Sequence, residues 1–103
     1  MKTIKYNALV MHEDDNVATA VDDMLSGDRA HIRHHDNDQS IRLVNDIKFG
    51  HKFALADINK DGEIMKYGET IGVSNRDIKK GEHVHIHNID SVRGKGAVTK
   101  HAF

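Results

Sequence analysis

The 103 residues predict a small, mainly β single domain rich in turns. Strand candidates fall at 28–33, 40–44, 63–66 and 82–87, short runs separated by glycine and polar clusters. A phrase recurs between them. "DINKDGEIMKYG" from Asp57 resembles "DIKKGEHVHIHN" from Asp77, the earlier copy having one extra turn residue, and "DMLSGDRAHIRH" from Asp23 aligns with the latter. Each reads aspartate, apolar residue, short polar turn, glycine, acid, then strand, with the turn glycine expected at positive φ. Eight glycines, no proline and no low-complexity linker leave no sign of a second domain.

One stretch reads against the class. In "NVATAVDDML", Val17, Ala20, Val21, Met24 and Leu25 keep helical spacing, so periodicity alone predicts a helix over 16–25. Val17, Thr19 and Val21 also alternate as a strand would.

Composition narrows the function. Fifteen basic and sixteen acidic residues give a formal charge of -1, which offers no electrostatic case for a nucleic-acid or membrane-surface partner. Nine histidines add charge only as pH falls through the imidazole range. The absence of cysteine excludes disulfides, thiolate metal sites and cysteine nucleophiles, so any metal is held by nitrogen and oxygen. No apolar run is long enough for a signal peptide or a bilayer span, and the expectation is a cytoplasmic protein with an intact start.

The segment "GEHVHIHN", residues 81–88, places His83, His85 and His87 on alternate positions. In a strand they share one face, with Val84 and Ile86 on the other, and neighbours on that face lie about 6.5 Å apart at the backbone. That spacing permits two imidazoles to meet one ion, and it equally describes a solvated strand face.

"MHEDDNVATAV", "IKFGHKFALADI", "KYGETIG" and "DIKKGEHVHIHN" together resemble the SAF domain of altronate and galactarate dehydratases. The matching positions are His12 with 15–18, 50–52, 67–69 with Ile71 and Gly72, and 85–88, where Ile86 stands for the family's valine. The resemblance covers nearly the whole chain. It implies a β-clip fold, with 16–21 extended and at most a helical turn over 22–25. It also implies a lyase acting on a small hydroxy acid and activated by Fe2+ or Mn2+. The long catalytic region that follows the SAF domain in fused dehydratases is not in this sequence. The chain therefore resembles a separate small subunit or an N-terminal piece, with 89–103 as a C-terminal tail or a strap against a partner. Sulfolactate sulfo-lyase has a similar small subunit.

Under this resemblance His12, His85 and His87 form the candidate metal set, a nitrogen-rich group suited to iron, manganese or zinc over calcium. His83 precedes the matched core and is left out. Candidate substrate-binding residues are Asp15, Asn16, His51, Lys52 and Arg93. Asp15 and Asn16 equally suit a turn, since short polar side chains bond local backbone. His51 and Lys52 sit at the start of a strand, where lysine offers a point charge to a carboxylate. Tyr67, Gly68 and Glu69 read as a structural turn, and Arg93 lies in the flexible-looking "SVRGKG".

Eliminating water from a sugar acid needs a base, an acid, and a metal or cation for the enolate-like charge. The carboxylates here are scattered through turns and offer no acid–base pair. The expected role is the small subunit of an altronate- or galactarate-type dehydratase, completing the substrate or metal site of a large catalytic subunit. The alternatives are a sulfolactate sulfo-lyase subunit, a stand-alone small-molecule-binding module, or a domain that only stabilises its partner. A homo-oligomer is compatible with each.

Overall fold

The computed structural model describes residues 5–34 and 38–91. Nine short strands follow in order: β1 Ala8–Leu9, β2 Val17–Ala20, β3 Arg29–Arg33, β4 Gln39–Arg42, β5 Lys52–Ala54, β6 Glu63–Lys66, β7 Glu69–Ser74, β8 His83–Val84 and β9 Ile89–Asp90. Six form one sheet in the order β4-β3-β1-β2-β5-β8, and three form another in the order β6-β7-β9. Neighbours are antiparallel except β1 and β3. The architecture is mainly β, with no helix among the described residues, and agrees with the expected β-clip.

Two apolar clusters hold it together, and alternation decides which residues enter each. In β3, Ala30 and Ile32 point inward between exposed neighbours, and the register sets Ala30 against Ile41 of β4. β2 and β5 run between the clusters. Ala18, Ala20 and Phe53 enter one, while Val17 and Ala54 enter the other.

That position corrects the helix read from periodicity. A strand buried on both faces has apolar residues at successive positions, and its pattern then mimics helical spacing. Val17–Ala20 is β2, and Met24 makes a lone bridge to Ile47.

The repeated phrase is the folding unit, and it occurs four times. Besides the copies from Asp23, Asp57 and Asp77, the segment Asp46-Ile47-Lys48-Phe49-Gly50 folds the same way. Copies pair through their apolar residues: Met24 bridges Ile47, and Ile58 bridges Ile78. Each aspartate then accepts an N–H from its partner's turn. Asp23 takes Phe49, Asp46 takes Ser26, Asp57 takes Lys80 and Asp77 takes Lys60, at 2.8–2.9 Å. Gly27, Gly50 and Gly81 have the expected positive φ. In the copy with the extra residue, Asp61 takes that conformation at φ 72, ahead of Gly62.

The strand expected over 82–87 is shorter, ending at Val84. Asn88, fully buried, accepts the His85 N–H at 2.9 Å and donates to the His83 carbonyl at 2.8 Å, which turns the chain back into β9. Ile86 is consequently 64% exposed and covers no core. Ile89 and Asp90, at the start of the expected tail, pair with β7.

Candidate functional site

β5 and β8 bring the histidines together. Their register pairs Lys52 with Val84 and Phe53 with His83. Carried one residue further, it sets His51 against His85. The end of β2 fixes His51, because Ala20 donates to the His51 carbonyl and accepts from Gly50, both at 2.8 Å. On the facing strand, the His83 N–H is held by Asn45 Oδ1 at 2.9 Å. The Asn88 turn then swings His85 over His51.

The rings form a stack. His51 and His85 lie 4.4 Å apart between centroids and nearly parallel, with His83 at 5.1 Å from His51 and 5.4 Å from His85. His51 Nδ1 and His83 Nε2 are 2.9 Å apart, and one nitrogen from each of the three residues lies within 4.8 Å of the others. The His51 and His83 nitrogens share a hydrogen bond, which an ion would have to replace; two nitrogens bound about 2.1 Å from one ion lie roughly 3.0–3.4 Å apart, close to the separation they already have. His85 Nδ1 is buried without a hydrogen-bond partner. Buried polar atoms are nearly always satisfied, so this one has a lone pair or proton with no outlet among the described residues.

The electrostatics favour neutral rings. Burial, and then His51, His87, His85 and Lys52, push His83 down to about 4 from an ordinary 6.5. His85 is lowered by burial, then by His51, Lys52 and His87. Neutral imidazole is the ligand form. Lys52 is 4% exposed, and burial followed by the charge of Lys66 depresses its pKa. Strand alternation turns Lys52 to the face of β5 opposite His51, and among the described residues no carboxylate forms an ion pair with it.

The residues singled out in sequence divide between this cluster and a second location. His85 belongs to the three-nitrogen group, and His87 flanks it with a ring tilted 5.3 Å from that of His83. His12 is not in the group. Its ring covers Gly68, where an added Cβ would meet it at 3.0 Å, and its Nδ1 accepts the Asp14 N–H. Asp15 is 7% exposed and accepts the Tyr67 and Gly68 N–H groups at 3.0 and 2.8 Å. Asn16 donates to the Glu63 carbonyl and accepts the Met65 N–H, both at 2.8 Å. Both side chains are thus occupied by backbone at the β6–β7 turn, the structural alternative of the two read for them. Arg93 lies outside the described residues.

His51 and His83 are the pair in the three-nitrogen group that sequence reasoning did not join. The signal for His83 was its alternation with His85. For His51 it was the β5–β8 register, which one sequence does not state.

A family described as the altronate/galactarate dehydratase SAF domain matches residues 6–92. The chain belongs to that family. This SAF domain is 44% identical over 78 residues to altronate dehydratase of Bacillus subtilis (strain 168) and 42% identical over 88 residues to that of Escherichia coli (strain K12). Those matches take in 76% and 85% of the chain but 15% and 16% of the relatives, so it spans about a sixth of their length. It is also 40% identical over 60 residues to the (2R)-sulfolactate sulfo-lyase subunit alpha of Chromohalobacter salexigens, covering 56% of this chain and 64% of that subunit. No helix among the described residues is long and apolar enough to cross a membrane.

Proposed function

We propose that this SAF domain serves a hydro-lyase of the altronate or galactarate type, acting beside a larger catalytic chain on a small hydroxy acid. The observation that carries the reading is the charge of the β5–β8 region. Lys52, one residue along β5 from the imidazole cluster and on the other face, is buried with no carboxylate among the described residues paired to it, and an anionic ligand supplies what that setting lacks. Burial and Lys66 disfavour the charged form of Lys52, and a substrate carboxylate arriving there would favour it. The chain contributes no acid–base pair, so proton removal and hydroxyl departure belong to the partner. Divalent iron or manganese, when bound, supplies a Lewis acid for the enolate-like charge. Leu25 and Phe49, 64% and 67% exposed on facing turns, give the partner an apolar surface to cover.

A second reading is favoured by the sulfo-lyase match, because that relative is a subunit of which the chain covers 64%. In that case the substrate is a sulfonate-bearing hydroxy acid.

Reconstitution tests both. A larger dehydratase chain should gain dehydration of altronate or galactarate on addition of this domain, and Lys52→Met should raise KM at least tenfold with a smaller effect on kcat. Turnover of (2R)-sulfolactate alone would select the second reading. No gain with any of the three substrates would refute both.

A further inference from the structure

The acid after each turn glycine has a structural task. Asp28 accepts the N–H of Leu25 at 2.9 Å, and Glu82 accepts that of Lys79 at 3.0 Å, each carboxylate tying down the turn three residues back. In the copy with the extra residue, Glu63 instead accepts the Thr70 hydroxyl. The copy from Asp46 departs further, carrying His51 in place of the acid. The backbone there keeps the same turn, with the His51 N–H on the Lys48 carbonyl at 2.9 Å. Its ring is released from the turn and meets His83 and His85. A repeated framework has therefore given up a turn-holding acid at one copy, and that copy faces two further imidazoles.

We propose that His51, His83 and His85 form a three-nitrogen site for a first-row divalent ion of the iron-to-zinc range, whose remaining positions take an oxygen anion such as a 2-hydroxy carboxylate. The first half stands on geometry: two nitrogens near chelating separation and joined by a hydrogen bond that an ion would replace, the third in reach, and the buried Nδ1 of His85 with no hydrogen-bond partner among the described residues. Three imidazoles suit iron, cobalt and zinc, and are poor ligands for calcium or magnesium. The second half stands on charge. The group contains no carboxylate among the described residues, so a bound ion keeps its full double charge until an anion joins it. Three protein ligands also leave at least one position open. A 2-hydroxy carboxylate offers two oxygens to that position and its neighbour. Only this identification of the anion rests on the function proposed above.

Anaerobic titration of the whole chain with Co2+, followed by calorimetry and by the visible absorption of the ion, tests the site. One ion per chain should bind with a micromolar Kd. His51→Ala, His83→Ala and His85→Ala should each weaken binding at least tenfold, while His12→Ala and His87→Ala should change it less than threefold. Backbone circular dichroism checks that the variants remain folded. A measurement on the unmutated chain guards against the variants that do not: substoichiometric Mn2+ should broaden the amide resonances of His51, His83 and His85 before those of His12 and Asp15. No binding by the wild type, or loss in His12→Ala with retention in His83→Ala, overturns the site.

Glycolate at millimolar concentration should tighten Co2+ binding at least threefold, and acetate should do less. Chelation of free metal by glycolate acts in the opposite direction, so a net gain reports a ternary complex. Weaker or unchanged binding overturns the anion half. Activity with a larger chain despite no metal binding here would leave the proposed function standing and remove this site; metal binding here with no gain of activity on reconstitution would do the reverse.

Discussion

Replacing Asp15 separates a structural aspartate from a substrate-binding one. The β6–β7 turn holds Tyr67 at φ 57, a strained value for a non-glycine residue, next to Gly68 at φ 74, which glycine adopts freely. A non-glycine residue in this region costs about 1–2 kcal/mol, so the turn needs external support. Asp15 gives it through the two N–H groups it accepts, from a position only 7% exposed. A hydrogen bond to a charged group is worth about 1.5–3 kcal/mol net, and two would reach about 3–6. Tyr67 is 57% exposed, so water can reach its N–H after truncation, which puts Asp15→Ala at the lower end. We expect a loss of about 3 kcal/mol. With an unfolding entropy of about 2.1 cal/mol/K per residue over this length, that is a fall of about 14 °C in Tm. Asp15→Asn keeps one acceptor oxygen and should lose about half as much. Urea denaturation at 25 °C and a thermal melt measure both, with Co2+ binding as the control that should stay unchanged. A loss below about 0.5 kcal/mol for Asp15→Ala would refute the argument and return Asp15 to the candidates for substrate contact.

Gly27 and Gly81 share a φ near 90, but a Cβ on Gly27 meets nothing within 4 Å while one on Gly81 meets the Arg42 carbonyl oxygen at 2.3 Å. Gly27→Ala should therefore cost about 1–2 kcal/mol and Gly81→Ala at least about 3, compared by urea midpoints; equal losses would show that strain alone governs both turns. His83 has a folded pKa of about 4, below the 6.5 expected of the unfolded chain, so the unfolded state takes up a proton first. Stability of the metal-free chain should be full above pH 6.5 and decline as pH falls through the window down to about 4, with His83→Gln flattening the profile. A His83 ring resonance titrating at its ordinary value would contradict the burial seen here.

Much of the fold was legible because local rules and tertiary structure agree. The β3, β4 and β6 segments alternate as half-buried strands, and the echoed phrase marks the turns. The helical pattern over 16–25 misled because β2 serves two clusters, a circumstance that periodicity does not distinguish from a helix. Tyr67–Glu69 was rightly read as a turn from its residue types. The site was less legible. Three alternating histidines invited one long strand, yet Asn88 intervenes with two side-chain bonds that stop it after Val84. His12 sits in the matched motif and gained a ligand role from that company, although its ring packs on Gly68. Asp15 and Asn16 had two readings of equal chemical merit, and one sequence does not state that their side chains meet the backbone of the β6–β7 turn.

The pairing of the four repeated turns also explains why a site forms at β5 and β8 in particular. The first pair comprises the copies from Asp23 and Asp46, the second those from Asp57 and Asp77. Within each pair the exchanged aspartates make either turn depend on the other. Between pairs the joint is made by β5, which follows the Asp46 copy, and β8, which follows the Asp77 copy. Ala54 accepts from Gly81 at 2.8 Å and donates to Glu82 at 2.9 Å, and Val44 donates to the Gly81 carbonyl at 2.9 Å. His51 thus comes from one half and His83 with His85 from the other. His51 is held by one stabilised turn and His83 with His85 by another, so the separation of His51 from the other two rings is set by the seam and not by either half alone. Ligands preorganised on rigid elements lose little freedom on binding. Bridging the two halves with an ion would also favour the native seam over any opened form, because a ligand that binds only the assembled state stabilises it in proportion to its affinity. Added Co2+ should accordingly raise the urea midpoint of the whole chain, and at one hundred times Kd the gain should be about 2.7 kcal/mol. At the same Co2+ concentration the His51→Ala variant, binding at least tenfold more weakly, should gain no more than about 1.4 kcal/mol.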